Sequence, residues 1–387
     1  MPMFLTFLGT RWYYLASAVG IAALLILYGV SYVRALQPKA GTLEWIELYD
    51  QRSFSLVGRW TGVNRRDAVP MLAVCAAAAA GWGFAAWRSL SGQYAFLSAA
   101  EWTEAVIHYG LVPALTAVFM YLLGKGLTGS TLTALLSALV LSLDLTAEPM
   151  LLLVTAAQAL TLTRYLTAGE DESFGEVCLR LILAFALNAV SCYVYGGFLV
   201  VTAAMVLLLI LGAAGRFVQL GRGWLLGSLL TAALTWAAVT LLIYVPGAAA
   251  AGIAFPAGFL SRDFYLFALL RMLSGVEVAF WGLPFNSTPL YFDWPLLLCG
   301  LCAFLALVVG MIRRRDMTHL VGTVWFAGLT AAWLLTGLYA LPVGCMLCIG
   351  GIWGGFCRRE RTFPVLLGSA SLLALLLGLY LMSWILH

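Results

Sequence analysis

Charged residues are scarce in this chain of 387 residues, at 10% of the sequence against 63% hydrophobic residues. So little charge leaves too little polar surface to coat a water-soluble globule of this size. Long polar stretches are missing as well, because the apolar runs leave only short connections between them. The sequence therefore excludes a soluble domain of ordinary size and predicts one polytopic membrane domain.

Lysine is almost absent, since only Lys39 and Lys125 join the arginines among the 21 basic residues. These cations are set against 17 acidic residues, which leaves a net charge of +4. The cations are spread over many connections and do not cluster into a basic patch. This pattern excludes the electrostatic footprint of a nucleic-acid-binding protein.

What the sequence has in abundance is apolar runs of helical length, and these predict an all-α fold of about twelve transmembrane helices. The first run is too long for a signal-peptide core and lacks a convincing cleavage site, so we expect it to remain as an anchor. Residues 1–66 would form this anchor and a cytoplasmic interfacial loop, and residues 67–387 the main membrane domain, with an extracytoplasmic loop at 246–294. The predicted spans lie near residues 12–33, 68–87, 104–123, 129–143, 148–166, 178–191, 195–214, 223–245, 295–312, 319–337, 339–356 and 363–385.

The distribution of basic residues predicts the orientation, because connections on the cytoplasmic side of a membrane carry an excess of Lys and Arg. With both termini outside, 17 of the 21 basic residues fall on the cytoplasmic side. Only Arg11, Arg88, Arg262 and Arg271 then lie outside. We therefore expect both termini and the loop at 246–294 to be extracytoplasmic.

Two C-x-x-C pairs occur late in the chain, Cys299 with Cys302 and Cys345 with Cys348. Residues three apart share one face of a helix, so two such faces that meet would bring four thiols together, as in a structural zinc site. Both pairs lie inside apolar runs, where a thiol also packs as a small hydrophobic side chain. We favour packing and assign no metal and no cofactor.

Five segments in a fixed order carry a family resemblance. They are RRDAVPMLAV at 65–74, HYGLVPALTAVFMYLLGKGL at 108–127, ALLSALVLSLD at 134–144, LNAVSCYVYGGF at 187–198 and SGVEVAFWGLPFNSTPLYFDWPLLL at 274–298. In this order they resemble the protein O-mannosyltransferase group of the GT-C glycosyltransferases, particularly its bacterial members. The resemblance covers roughly residues 66–387 and implies a GT-C-like helical bundle in a bacterial plasma membrane.

The resemblance also implies a function, which is transfer of a sugar from a polyprenyl-phosphate donor to an acceptor at the extracytoplasmic face. It assigns the catalytic carboxylate to Asp144, which matches the aspartate that ends the family's third helix, or to Glu101 in the first outer loop. Arg271 would hold the lipid phosphate or, alternatively, anchor the chain at the membrane interface. Glu148, Trp281 and Asp293 complete the predicted substrate-binding set at the same face.

The first outer loop departs from the family pattern, because residues 88–103 contain no Asp and no H-P-P motif. The family's Asp-Glu pair is therefore missing, and the acidic residue that remains in the loop is Glu101. This departure keeps open a non-catalytic relative that binds lipid or a partner. A transporter is a third hypothesis, although the predicted spans contain few ionisable residues and show no match between two halves.

Overall fold

The computed structural model describes residues 67–89, 102, 106–128, 131–142, 148–168, 174–220, 222–250, 288–314 and 317–357. Every regular element in these ranges is helical. Ten α-helices fall in the described part. They are α1 (Ala68–Ser89), α2 (Val112–Thr128), α3 (Thr131–Ser142), α4 (Pro149–Leu166), α5 (Phe174–Val194), α6 (Phe198–Leu220), α7 (Arg222–Ala250), α8 (Thr288–Arg314), α9 (Met317–Thr336) and α10 (Leu341–Cys357).

Four stretches within these helices are long and apolar enough to cross a membrane: Tyr109–Leu127, Phe174–Val194, Trp224–Ile243 and His319–Thr336. Shorter apolar helices occur at Ala68–Gly83, Phe198–Gly212, Leu296–Ile312 and Leu341–Ile352. The prediction of an all-helical integral membrane protein is therefore confirmed. The predicted spans at 12–33 and 363–385, and both termini, lie outside the described residues.

A π-helical turn, Ile107–Leu111, directly precedes α2. The N–H of Val112 donates to the carbonyl oxygen of Ile107, five residues earlier. Pro113 follows directly, and a proline has no N–H to donate and its ring crowds the carbonyl four residues before it. A wider turn at this point relieves that crowding, which explains why the helix changes from π to α here.

The chain divides into two compact units. The first contains residues 1–156, 285–326 and 341–387, and the second contains residues 157–284 and 327–340. In the first unit α2 packs against α1 and α3, while α10 packs against α8, α2 and α3. In the second unit α5, α6 and α7 pack against one another.

Glycine allows two helices of the first unit to approach closely. A Cβ atom at Gly300 in α8 would overlap the sulfur of Cys345 in α10 and would lie 3.0 Å from the Cα atom of that residue. Only a residue without a side chain fits there, as is common where membrane helices touch. A small residue therefore brings α8 and α10 together at this contact.

The four cysteines of the two C-x-x-C pairs lie on α8 and α10, which are in contact. None of the four forms a disulfide bond. Among the described residues there is no group of three or more His, Cys, Asp or Glu side chains arranged to hold a metal ion. The thiol of Cys348 instead donates to the carbonyl oxygen of Gly322 at 3.3 Å, and Cys345 packs under Gly300. These contacts favour the packing interpretation.

Two helix boundaries differ from the prediction. Helix α7 continues through Pro246 to Ala250, and α8 begins at Thr288, seven residues before the predicted start at 295. The predicted loop at 246–294 is therefore too long at both ends. Prolines lie at 246 and 295, at these boundaries, and membrane helices tolerate proline because neighbouring groups can satisfy the freed carbonyl.

Candidate functional site

The most extensive polar cluster in the described residues lies in the second unit and is centred on Asn188 of α5. We call it the Asn188 network; its members are Gln158, Asn188, Ser191, Cys192, Thr202 and Trp236. Asn188 and Gln158 are completely buried. Polar side chains inside a membrane bundle are expensive, which makes such a cluster a functional candidate by default.

The network joins four helices through the two amide groups. The Asn188 Nδ2 donates to the Gln158 Oε1 at 3.2 Å, and the Gln158 Nε2 donates to the Ser191 Oγ at 2.9 Å. The Asn188 Oδ1 accepts hydrogen bonds from the Thr202 Oγ1 at 2.6 Å and from the Trp236 Nε1 at 3.0 Å. The Cys192 thiol lies 3.8 Å from the same oxygen. One side chain on α5 therefore connects α4, α6 and α7.

The Trp236 indole determines which atom donates and which accepts in the hydrogen bonds between Asn188, Gln158 and Ser191. An indole N–H can only donate, so the atom of Asn188 that faces it must be the oxygen. The amide nitrogen of Asn188 then faces Gln158, which turns the Gln158 nitrogen towards Ser191. Ser191 accepts that bond and donates to the backbone oxygen of Leu187 at 2.6 Å. The chain of donors thus runs from Trp236 to a backbone carbonyl.

The chemistry available to the Asn188 network is limited by its lack of charge. It contains amides, hydroxyls, an indole and a thiol, and none of these is a strong general base at neutral pH. A satisfied neutral network in a low-dielectric interior fixes the relative positions of helices and specifies one packing arrangement. We therefore assign to the network the positioning of helices and no step of bond chemistry.

We predict that Asn188→Leu destabilises the protein by about 2 kcal/mol, because the buried Gln158 oxygen and the Trp236 N–H lose their partner together. The measurement is equilibrium unfolding of the purified protein by SDS in mixed micelles. Ser191→Ala is the matched control, since it leaves only the Gln158 Nε2–H group without its partner; it should cost about 1 kcal/mol. Equal unfolding midpoints for Asn188→Leu and the parent would show that the network does not hold the helices.

A second polar cluster lies in the first unit, where α1 begins. The carboxylate of Asp67 is buried; it accepts a hydrogen bond from the Tyr121 hydroxyl at 2.7 Å and lies 3.3 Å from the Lys125 ammonium. Lys125 also donates to the Thr131 Oγ1 at 2.6 Å. The carboxylate therefore ties the start of α1 to the end of α2, and the lysine ties α2 to the start of α3.

Of the predicted site residues, Glu148 is the one whose side chain is described, and it is exposed. It stands directly before α4, and its backbone oxygen accepts a hydrogen bond from the Leu152 N–H at 3.1 Å. Pro149 follows at the first helical position, where no N–H is needed. Helix α3 ends at Ser142, so Glu148 lies in sequence between two helices.

The remaining predicted site residues have no described side chains. Asp293 lies on the first turns of α8 rather than in a loop. Asp144, Glu101, Arg271 and Trp281 lie outside the described residues. Their predicted convergence on one external cleft stays a prediction.

Sequence reasoning missed both polar clusters. A signal was present, because Gln158 and Asn188 are amide side chains inside runs that are otherwise apolar. Asn188 also lies in the segment 187–198 that carried part of the family resemblance. The sequence does not reveal that the two amides meet, since they are separated by 30 residues and lie on different helices.

Comparison of the chain with family models, with curated proteins and with solved structures finds no match. The class of protein therefore rests on its own helices and polar clusters. These define an all-α integral membrane protein with a hydrogen-bonded polar core in its second unit.

Proposed function

We propose that this protein is a GT-C-like membrane glycosyltransferase that uses a polyprenyl-phosphate-linked sugar at the extracytoplasmic face. The observation that carries the proposal is the ordered resemblance of the five segments between residues 65 and 298. The positions of the helices agree with it. The segment at 108–127 is described throughout and falls on the π turn and α2, and the segment at 187–198 spans the break between α5 and α6.

The proposed orientation has about twelve spans, with both termini outside the cytoplasm of a bacterial cell. Two contacts support placing the members of each of two pairs at the same face of the membrane. Lys125 was placed on the cytoplasmic side by the distribution of basic residues, and it forms an ion pair with Asp67, the residue directly before α1. Arg164 and Arg180 were placed on that side too, and the Arg180 guanidinium donates to the backbone oxygen of Arg164 at 3.3 Å. Each contact requires that its two residues lie at the same face of the membrane.

The proposed reaction breaks the bond between the anomeric carbon and the donor phosphate oxygen and forms a bond from that carbon to an acceptor hydroxyl oxygen. The acceptor proton passes to a carboxylate, for which Asp144 is the first choice and Glu101 the second. Arg271 stabilises the polyprenyl phosphate as it leaves with its negative charge. Glu148, Trp281 and Asp293 would line the substrate site at the same face.

The proposal is tested by incubating the purified full chain in lipid nanodiscs with polyprenyl-phosphate mannose and a Ser/Thr-rich acceptor peptide. We expect mannosylated peptide and free polyprenyl phosphate in equal amounts. Binding of the donor is measured in parallel with a photoactivatable polyprenyl-phosphate analogue. A chain that neither transfers the sugar nor binds this donor would overturn the proposal.

The second candidate function is a non-catalytic relative that binds a polyprenyl phosphate or a protein partner. The short first outer loop favours it, because residues 88–103 lack the family's Asp-Glu pair. In the same experiment this function predicts labelling by the photoactivatable donor without sugar transfer. Labelling and transfer therefore separate the two candidates.

A further inference from the structure

Helix α1 has a buried face and an exposed face. Val74, Ala78 and Trp82 follow one another at a spacing of four and are buried in the first unit, where α1 packs against α2 and α3. The exposed face carries residues spaced by three and four, namely Val69, Ala73, Ala76, Ala80 and Gly83. Residues at this spacing form one continuous seam along a helix. We call the seam the small face of α1, because its larger exposed residues, Val69 and the neighbouring Leu72, are confined to the first two turns.

The small face differs in composition from the exposed surface of α7. There the exposed residues at a spacing of four are leucines, Leu226, Leu230 and Leu234. Bulky apolar side chains suit contact with lipid chains, whereas alanine and glycine let the backbone of a second helix approach closely. Gly300 of α8 shows such an approach, since α10 fills the place where its side chain would stand. At Gly83 no atom of the described residues lies within 4 Å of that place. The small face therefore has the composition of a helix contact, and no described helix covers it there.

Two predicted spans lie outside the described residues, at 12–33 and 363–385, and their connections to the first unit differ in length. Among the described helices, α1 and α10 both pack against α2 and α3 but not closely against each other. They therefore lie on opposite sides of that pair. With about 9 Å between neighbouring helix axes, the place beyond the small face is about 25 Å from α10. Residues 358–362, which join α10 to the span at 363–385, reach about 20 Å even when fully extended. The connection at 34–66 has no such limit, so the span at 12–33 is the one that can reach the small face.

Residues 12–33 carry a seam that matches the small face. Its residues are also spaced by four and three, and they are Ala16, Gly20, Ala23, Leu27 and Val30. One connection, 34–66, joins this predicted span to α1, so the two run antiparallel, and consecutive elements are usually neighbours in space. The larger residues of both seams, Leu27 and Val30 in the segment and Val69 in α1, lie next to the connection. In an antiparallel pair they fall at the same end, and the small residues of both seams meet along the rest.

We propose that the small face of α1 is the docking surface for residues 12–33, which pack against it as an antiparallel helix with Gly20 at the level of Ala80. This register places each residue of one seam opposite a residue of the other, from Ala16 at Gly83 to Val30 at Val69. The spacing of four and three on both sides is that of a left-handed helix pair. The docking needs no charge and no cofactor, and it holds whether or not the protein transfers a sugar.

The docking is tested by disulfide crosslinking of the full chain in lipid nanodiscs. Gly20→Cys and Ala80→Cys are combined and oxidised with copper phenanthroline, because two cysteines at a close helix contact can reach the short Cβ separation that a disulfide needs. Trypsin cleaves after arginine, and the arginines at 11, 34, 66 and 88 place the two new cysteines in separate peptides, 12–34 and 67–88. We expect mass spectrometry of the unreduced digest to find these peptides linked, and the undigested chain to run as a monomer on a non-reducing gel.

Gly20→Cys with Ala78→Cys, on the buried face of α1, is the matched control, and Gly20→Cys alone gives the background from the native Cys75 in the same peptide. Both should give little linked peptide.

A bulky residue on the small face should hold the two helices apart. Ala76→Leu, added to the pair at 20 and 80, should therefore lower the yield of linked peptide, whereas Leu230→Ala on the exposed surface of α7 should leave it unchanged. A link that runs as a dimer on the gel assigns the small face to a second copy of the chain, and no link above background assigns it to lipid. Either result, or a yield that Ala76→Leu does not lower, overturns the proposal.

Discussion

Lys125→Met should destabilise the protein by about 3 kcal/mol, because it leaves the Asp67 carboxylate buried without its counter-charge. Asp67 is 2% exposed and lies 3.3 Å from the lysine ammonium. Removing one partner of a buried pair typically costs about 3 to 5 kcal/mol, and the low end applies since the Lys125 side chain is partly exposed. The measurement is equilibrium unfolding by SDS in mixed micelles, with the helix signal followed by circular dichroism.

Two further variants show whether the loss comes from the uncompensated charge. Asp67→Asn combined with Lys125→Met removes both charges but keeps an oxygen that accepts the bond from Tyr121, so it should recover most of the stability. Thr131→Val removes only the second partner of the lysine and should cost about 1 kcal/mol. If the double variant is no more stable than Lys125→Met alone, the loss is due to the packing of the lysine stem and not to charge.

The positions of the helices could be predicted because each is an uninterrupted apolar run. Helix α4 was expected at 148–166 and occupies Pro149–Leu166, and α10 was expected at 339–356 and occupies Leu341–Cys357. A run of apolar residues has no other way to satisfy its backbone in a membrane than to form a helix. The local sequence therefore determines where each helix lies, and its position can be predicted without knowing which helices are its neighbours.

The predicted end of α7 at 245 and the predicted start of α8 at 295 were wrong for a different reason. Whether a helix continues past a proline depends on its tertiary surroundings and not only on the local sequence. A proline ends a helix in water because the carbonyl freed by its missing N–H and its ring clash favour a break. In a bundle, other groups can compensate for that carbonyl.

The polar clusters were missed for a related reason. Gln158, Asn188, Thr202 and Trp236 lie on four helices, and each one alone fits an ordinary position in its helix. Their function as a unit depends on which helix faces meet, and hydropathy does not encode that. The candidate catalytic residues were chosen by resemblance. Of the predicted site residues, the structure describes the side chain of Glu148, which is exposed directly before α4.

If the protein transfers sugar, Asp144→Asn should reduce the rate of transfer by about 10² to 10⁴, the usual loss when a general base is removed. Asp144 is preferred because it matches the aspartate at the end of the family's third helix. Asparagine keeps the size and one oxygen of the side chain but cannot accept the acceptor's proton.

Glu101→Gln is the matched variant, because Glu101 is the acidic residue in the loop that bears the acid pair in the family. The rates of the parent and the two variants are compared at saturating polyprenyl-phosphate mannose, with donor binding measured by photolabelling. A large loss in Asp144→Asn with little change in Glu101→Gln assigns the base to Asp144, and the reverse result assigns it to Glu101. Parental rates in both variants exclude both carboxylates as the base. A parent that binds the donor but transfers no sugar has the binding function alone.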